Sequence, residues 1–81
     1  MSPKTPRNIS GQQLIKILKK YGYESTRQKG SHIRLTNSSK PTTHHITIPD
    51  HDPLKLGTLS GILNEVSRYL EIDREELLKH L

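Results

Sequence analysis

The chain of 81 residues has no cysteine, which removes disulfides, thiol nucleophiles and thiolate metal sites together. It has no Phe and no Trp and only three tyrosines, so a core has to be assembled from Leu, Ile and Val. No apolar run is longer than two residues, so neither a membrane span nor the hydrophobic stretch of a signal peptide is expected. Absence of cysteine fits a reducing, cytoplasmic setting. With 30% hydrophobic residues the chain suffices for one domain, whose modest core buries roughly 60% of the unfolded surface.

Acidic residues are the scarcer charge. Thirteen Lys and Arg face eight Asp and Glu, a net +5 that favours an anionic partner. Residues 1–30 hold seven cationic residues against one Glu (+6), residues 31–60 three against two (+1), and residues 61–81 three against five (−2). The basic character is concentrated in the first half. A solvated lysine-rich surface has the same totals, so the motifs must decide.

Residues 1–8 contain two prolines and no large apolar residue after Met1, and are expected to form a disordered basic arm. Residues 9–81 are expected to form a single domain. Ser10 offers a helix N-cap, Gln13 completes a capping box, and Ile9 with Leu14 is spaced as a hydrophobic staple. Leu14, Ile17, Leu18 and Tyr21 then share one helical side, Gln12, Lys16, Lys19 and Lys20 the other, and Gly22 ends the helix. From residue 23 the period changes to two. Ile33 and Leu35 alternate with His32, Arg34 and Thr36, and Ile46 and Ile48 with His45 and Thr47, which predicts antiparallel strands with one wet face. Tyr23–Lys29 is the weakest of three expected strands, since it is almost wholly polar. His32, Arg34 and His45 should share the exposed face.

The helical period returns after Pro53. Leu56, Leu59, Leu63, Val66 and Leu70 form a stripe opposed by Gly61, Asn64, Glu65 and Arg68, with a start either at Asp52-Pro53 or near Gly57-Thr58. Asp73 with Glu76 reads as a second capping box, which predicts a last short helix over Glu75–Leu81. The expectation is an α+β fold of order α-β-β-β-α: a three-stranded antiparallel sheet, helices on one face, and a short C-terminal helix. Double-stranded-RNA-binding domains have this layout.

The segment Arg27-Gln28-Lys29-Gly30-Ser31-His32 combines cations, a turn and an imidazole. Imidazole can take and give a proton near neutral pH, and the cations attract phosphate. His32 can therefore act as general base or acid in RNA cleavage, a role typically worth about 10²–10⁴-fold. Arg27, Lys29 and Arg34 can stabilise a phosphorane, Gly30 lets backbone approach a phosphate, and Ser31 offers a hydroxyl donor. His45 and His51 are candidates for a second acid–base group. Lys16, Lys19 and Lys20 form either a solvated helix face or an RNA-backbone contact.

Taken with Leu14-Ile15-Lys16-Ile17-Leu18-Lys19-Lys20-Tyr21-Gly22-Tyr23, Ile46-Thr47-Ile48-Pro49-Asp50-His51 and Gly57-Thr58-Leu59, this segment resembles the HicA family of small toxins, also called YcfA-like. The resemblance runs from about Ser10 to Val66. It implies a fold like that of double-stranded-RNA-binding domains, cleavage of mRNA without a cofactor, and neutralisation by a HicB-type antitoxin. The family's catalytic histidine falls on His32, and its second histidine, two residues after the strand-ending proline, on His51. Departures are the N-terminal arm, a long loop at 37–43, Asp50, and a loosely matched tail. The tail leaves a homodimer and a hetero-oligomer with the antitoxin both open.

Two other readings stand beside this one. His44, His45, Asp50, His51 and Asp52 are metal-ligand types, but their spacing fits no zinc pattern, and adjacent strand residues point to opposite faces. No metal is expected. A non-catalytic double-stranded-RNA-binding module can use the same basic face, yet such modules carry a lysine cluster where this chain has Lys55-Leu56-Gly57-Thr58. A remnant that only binds antitoxin is a third reading.

Overall fold

The computed structural model describes residues 8–81, and the expected N-terminal arm lies, Asn8 apart, outside the described residues. Helix α1 (Gly11–Lys19) begins at the anticipated capping box. Ser10 Oγ accepts the Gln13 amide at 3.1 Å, and Gln13 Oε1 accepts the Ser10 amide at 2.8 Å. Three strands follow, β1 (Tyr23–Lys29), β2 (His32–Asn37) and β3 (His44–Pro49), in the sheet order β1-β2-β3 with both pairings antiparallel. Helices α2 (Leu56–Leu70) and α3 (Arg74–Leu78) complete the α+β architecture.

Alternation sorts the sheet into two faces. Ile33, Leu35, Ile46 and Ile48 are buried in one core with Leu14, Ile15 and Leu18 of α1, with Leu59, Ile62, Leu63 and Val66 of α2, and with Leu77 of α3. His32, Arg34, His45 and Thr47 stay exposed on the other face. The α2 stripe is Leu59, Ile62, Leu63 and Val66, spaced for one helical side. Leu56, expected in that stripe, is the first helical residue and stays 43% exposed. The helix starts between the two anticipated positions, with Lys55 as its N-cap.

The second capping box does not form. Asp73 is the N-cap residue of α3 but makes no side-chain cap bond. The amide it would cap, that of Glu76, is already taken at 2.9 Å by the Asp73 carbonyl, and the Glu76 carboxylate turns to Lys79 at 3.1 Å. Both halves of the box are engaged elsewhere. Helix α3 is instead tied to α2 through Arg74, which donates to Asn64 Oδ1 at 2.6 Å and Ser60 Oγ at 3.0 Å.

Two backbone details place the loops around His32. At Gly11 an added Cβ would meet the Pro49 carbonyl oxygen at 2.1 Å, so only glycine lets α1 start this close to the end of β3. The Gly11 amide donates to the His51 carbonyl at 2.9 Å, and Leu54 donates to Ile9 at 2.8 Å, fixing the β3–α2 loop onto the head of α1.

Candidate nucleic-acid interface

His32 opens β2 directly after a two-residue turn. Lys29 and His32 face each other across the β1–β2 hairpin, leaving Gly30 and Ser31 as the loop. Gly30 has φ 59°, the positive value that type II′ turns require at their first central position. The Gln28 side-chain amide donates to the Gly30 carbonyl at 3.2 Å, and the Asp50 amide donates to the Ser31 carbonyl at 2.6 Å. His32 is therefore held between β1 on one side and Pro49 of β3, its partner in the register, on the other.

A bulge brings the cations to this face. The β1–β2 register runs Ser25↔Leu35 and then Arg27↔Arg34, which leaves Thr26 as the extra residue. Strict alternation from buried Tyr23 would turn Arg27 and Lys29 toward the helices. The inserted residue reverses that phase and sets them opposite Arg34 and His32, on the open side. Arg27 and Arg34 are thus a directly opposed like-charge pair, a destabilising arrangement. Among the described residues, none of Arg27, Lys29 and Arg34 is in a salt bridge with a carboxylate.

The other anticipated residues divide between surfaces. Lys16, Lys19 and Lys20 are on the outer side of α1, across the core from the open sheet face. Lys16 and Lys20 line a separate groove with Ile9, Gln13, Ile17, His80 and Leu81. His51 is exposed, two residues beyond Pro49, in the loop that Asp50 ties to Ser31. His45 is on the open face opposite Thr36, four residues from His32, roughly 13 Å along the strand.

His44 and His45 point apart, as alternation requires. His44 accepts from the Tyr23 hydroxyl at its Nδ1 (2.7 Å), donates from Nε2 to Glu65 Oε2 (3.0 Å), and stacks on Tyr69 at 4.8 Å. Tyr69 in turn donates to the carbonyls of Asn37 and Thr42. Burial of the Tyr23 phenol, with Tyr69 and Glu65 nearby, pushes its ionisation well above the usual tyrosine range. Both His44 ring nitrogens are engaged, so this residue is a fastening between sheet and α2. Among the described residues no group of three or more His, Cys, Asp or Glu is placed to hold a metal ion.

Residues that the sequence reading passed over include Thr26, Gly11 and the Tyr23–His44–Glu65–Tyr69 cluster. Asn37, placed there in a turn, is fully buried at the end of β2. It donates to the Tyr21 carbonyl at 2.9 Å and accepts the Ser39 amide at 2.8 Å. A polar residue before Ser-Ser carried no signal of that role.

Compared with known families, residues 11–67 match the one described as HicA toxin of bacterial toxin-antitoxin. The chain belongs to the HicA toxin family. Comparison with curated proteins and with solved structures returned no match. The matched span covers α1, the whole sheet and most of α2, and so contains the open face and both loops around His32. A HicA toxin is one half of a toxin–antitoxin pair, so an antitoxin partner is part of its biology. No helix among the described residues is long and apolar enough to cross a membrane.

Proposed function

We propose that this HicA toxin is an endoribonuclease that cuts mRNA without a metal, using His32, and that a HicB-type antitoxin neutralises it. The observation that carries this reading is the convergence of Arg27, Lys29, His32 and Arg34 on one open sheet face through the Thr26 bulge. The unpaired Arg27–Arg34 opposition costs stability, and a bound phosphate would relieve it.

Cleavage follows from the substrate's own chemistry. The ribose 2′-hydroxyl loses its proton to a base and attacks the adjacent phosphorus. The resulting phosphorane carries extra negative charge, and the 5′ oxygen departs with a proton. A 2′,3′-cyclic phosphate and a 5′-hydroxyl remain. His32 takes one of the two proton transfers, and Arg27, Lys29 and Arg34 stabilise the charge, with the Ser31 hydroxyl and the Gly30 backbone beside the phosphate. His51 is the better-placed second histidine, because the Asp50–Ser31 bond anchors its loop to the His32 turn. Lys16, Lys19 and Lys20, on another surface, add long-range attraction for RNA. An acidic antitoxin surface laid over the His32 face would exclude RNA by occlusion.

The test is cleavage of end-labelled RNA in EDTA by the wild type and by His32→Ala. Cutting by the wild type alone, with cyclic phosphate ends, supports the reading. Equal RNA binding by both chains with no cutting by either makes the protein a binding module instead.

A further inference from the structure

The open face carries a second arrangement that the cleavage chemistry does not use. Thr26, Thr36 and His45, one from each strand, form a hydrogen-bonded chain across the sheet. The Thr26 hydroxyl lies 3.4 Å from the Arg34 carbonyl and 2.8 Å from the Thr36 hydroxyl, which lies 2.9 Å from His45 Nδ1. The same bulge that reverses the cations supplies the first link, since Thr26 is its extra residue.

One order of protons makes all three contacts hydrogen bonds at once. The Arg34 carbonyl can only accept, so in that order the Thr26 hydroxyl donates to it, the Thr36 hydroxyl donates to Thr26, and Nδ1–H of His45 donates to Thr36. His45 Nε2 is then an acceptor. His45 is exposed, and among the described residues nothing bonds to its Nε2.

An oriented acceptor on an RNA-binding face selects for a donor. Phosphodiester oxygens have no proton to give, whereas the ribose 2′-hydroxyl does, and it is the group that distinguishes RNA from DNA. We propose that His45 Nε2 accepts a hydrogen bond from a ribose 2′-hydroxyl at a nucleotide away from the scissile one, and that Thr26 and Thr36 are positioning residues for it. The separation of roughly 13 Å between His32 and the His45 position puts this contact beyond the phosphate being cut. The proposal rests on the RNA-cleaving reading of the face.

The experiment measures binding by fluorescence anisotropy in a His32→Ala background, so that the RNA stays intact. The probe is a short single-stranded oligoribonucleotide, and a set of the same oligonucleotide with one 2′-deoxy position each. With His45 present, one deoxy position outside the cleavage step weakens binding about three- to tenfold, the worth of one hydrogen bond. That sensitivity disappears in His45→Ala and shrinks in Thr36→Val, which keeps the side-chain shape and lets the imidazole turn. A structural role for Thr36 alone would shift all oligonucleotides equally. The proposal is overturned by a deoxy effect that survives His45→Ala, by its absence at every position, or by an effect that follows base identity instead of the sugar. In those outcomes the nuclease reading stands if wild type still cuts RNA. Failure of the wild type to bind or cut any RNA overturns both.

Discussion

Replacing Tyr23 by Phe removes one oxygen atom and nothing else, which makes it the cleanest probe of how α2 is fastened to the sheet. The ring, buried to 1% exposure and 6.4 Å from Tyr69, keeps its packing, so no cavity opens. What disappears is the proton held at 2.7 Å by His44 Nδ1. The His44 side chain is 16% exposed and its other nitrogen is committed to Glu65, so water cannot easily take the lost place. A donor or acceptor left unsatisfied in such surroundings costs about 1–3 kcal/mol. In a domain of this size each kcal/mol lowers Tm by about 4–8 °C. Thermal unfolding followed by circular dichroism reads the effect directly. Coupling is the sharper test: Tyr23 and Glu65 interact through His44, so Tyr23→Phe and Glu65→Gln together should cost less than their separate effects added, by about 0.5 kcal/mol or more. Strict additivity, or an unchanged Tm for Tyr23→Phe, would refute the fastening. RNA cleavage at a temperature where the variant is folded should match wild type, because the cluster faces away from His32.

Gly11→Ala forces a methyl group against the Pro49 carbonyl, 2.1 Å away, with the Pro49 carbon at 3.1 Å and Asp50 Cα at 3.3 Å behind it. All three obstacles are backbone, so overpacking of about 1–3 kcal/mol is expected in denaturant unfolding, together with weaker RNA cleavage from a displaced His51 loop. Alkaline pH acts through Tyr23, whose folded-state ionisation lies above that of an ordinary tyrosine. An unfolded tyrosine loses its proton near pH 10, so above about pH 10 the unfolded state binds fewer protons and stability falls, by up to about 1.4 kcal/mol per pH unit. The gap in unfolding free energy between wild type and Tyr23→Phe should accordingly narrow as pH rises past 10, and a constant gap would contradict it.

What the sequence made legible is what nearest neighbours decide. The Ser10–Gln13 box, the period of α1, and the alternation of β2 and β3 each concern residues a few positions apart, and each forms as expected. The Asp73–Glu76 pair has the same local pattern and fails, because the Glu76 amide finds the Asp73 carbonyl and its carboxylate finds Lys79. A pattern states what can bond; competition among partners settles what does. The β1 bulge was hidden for a different reason. Apart from Tyr23 the strand is exposed throughout, so no apolar residue marks its phase, and a shift of one residue leaves the hydrophobic pattern unchanged. The Tyr23–His44 contact spans 21 positions and joins two strands that do not pair with each other, which no local period records.

His44 and His45 show why residue type alone could not identify the site. They are neighbours on one strand with the same side chain, and the pleat sends one to the helices and the other to solvent. His44 meets a phenol and a carboxylate, has both nitrogens occupied, and is spent on holding the fold together. His45 meets the Thr36 hydroxyl through Nδ1 alone, and among the described residues nothing bonds to its Nε2. The Thr36 hydroxyl is met in turn by Thr26, on a strand that does not pair with the histidines' own. Removing the bulge would break the threonine chain and turn Arg27 and Lys29 away from His32 in the same step. The proposed phosphate-binding cations and the proposed ribose contact therefore depend on one inserted residue in the strand with the least hydrophobic content.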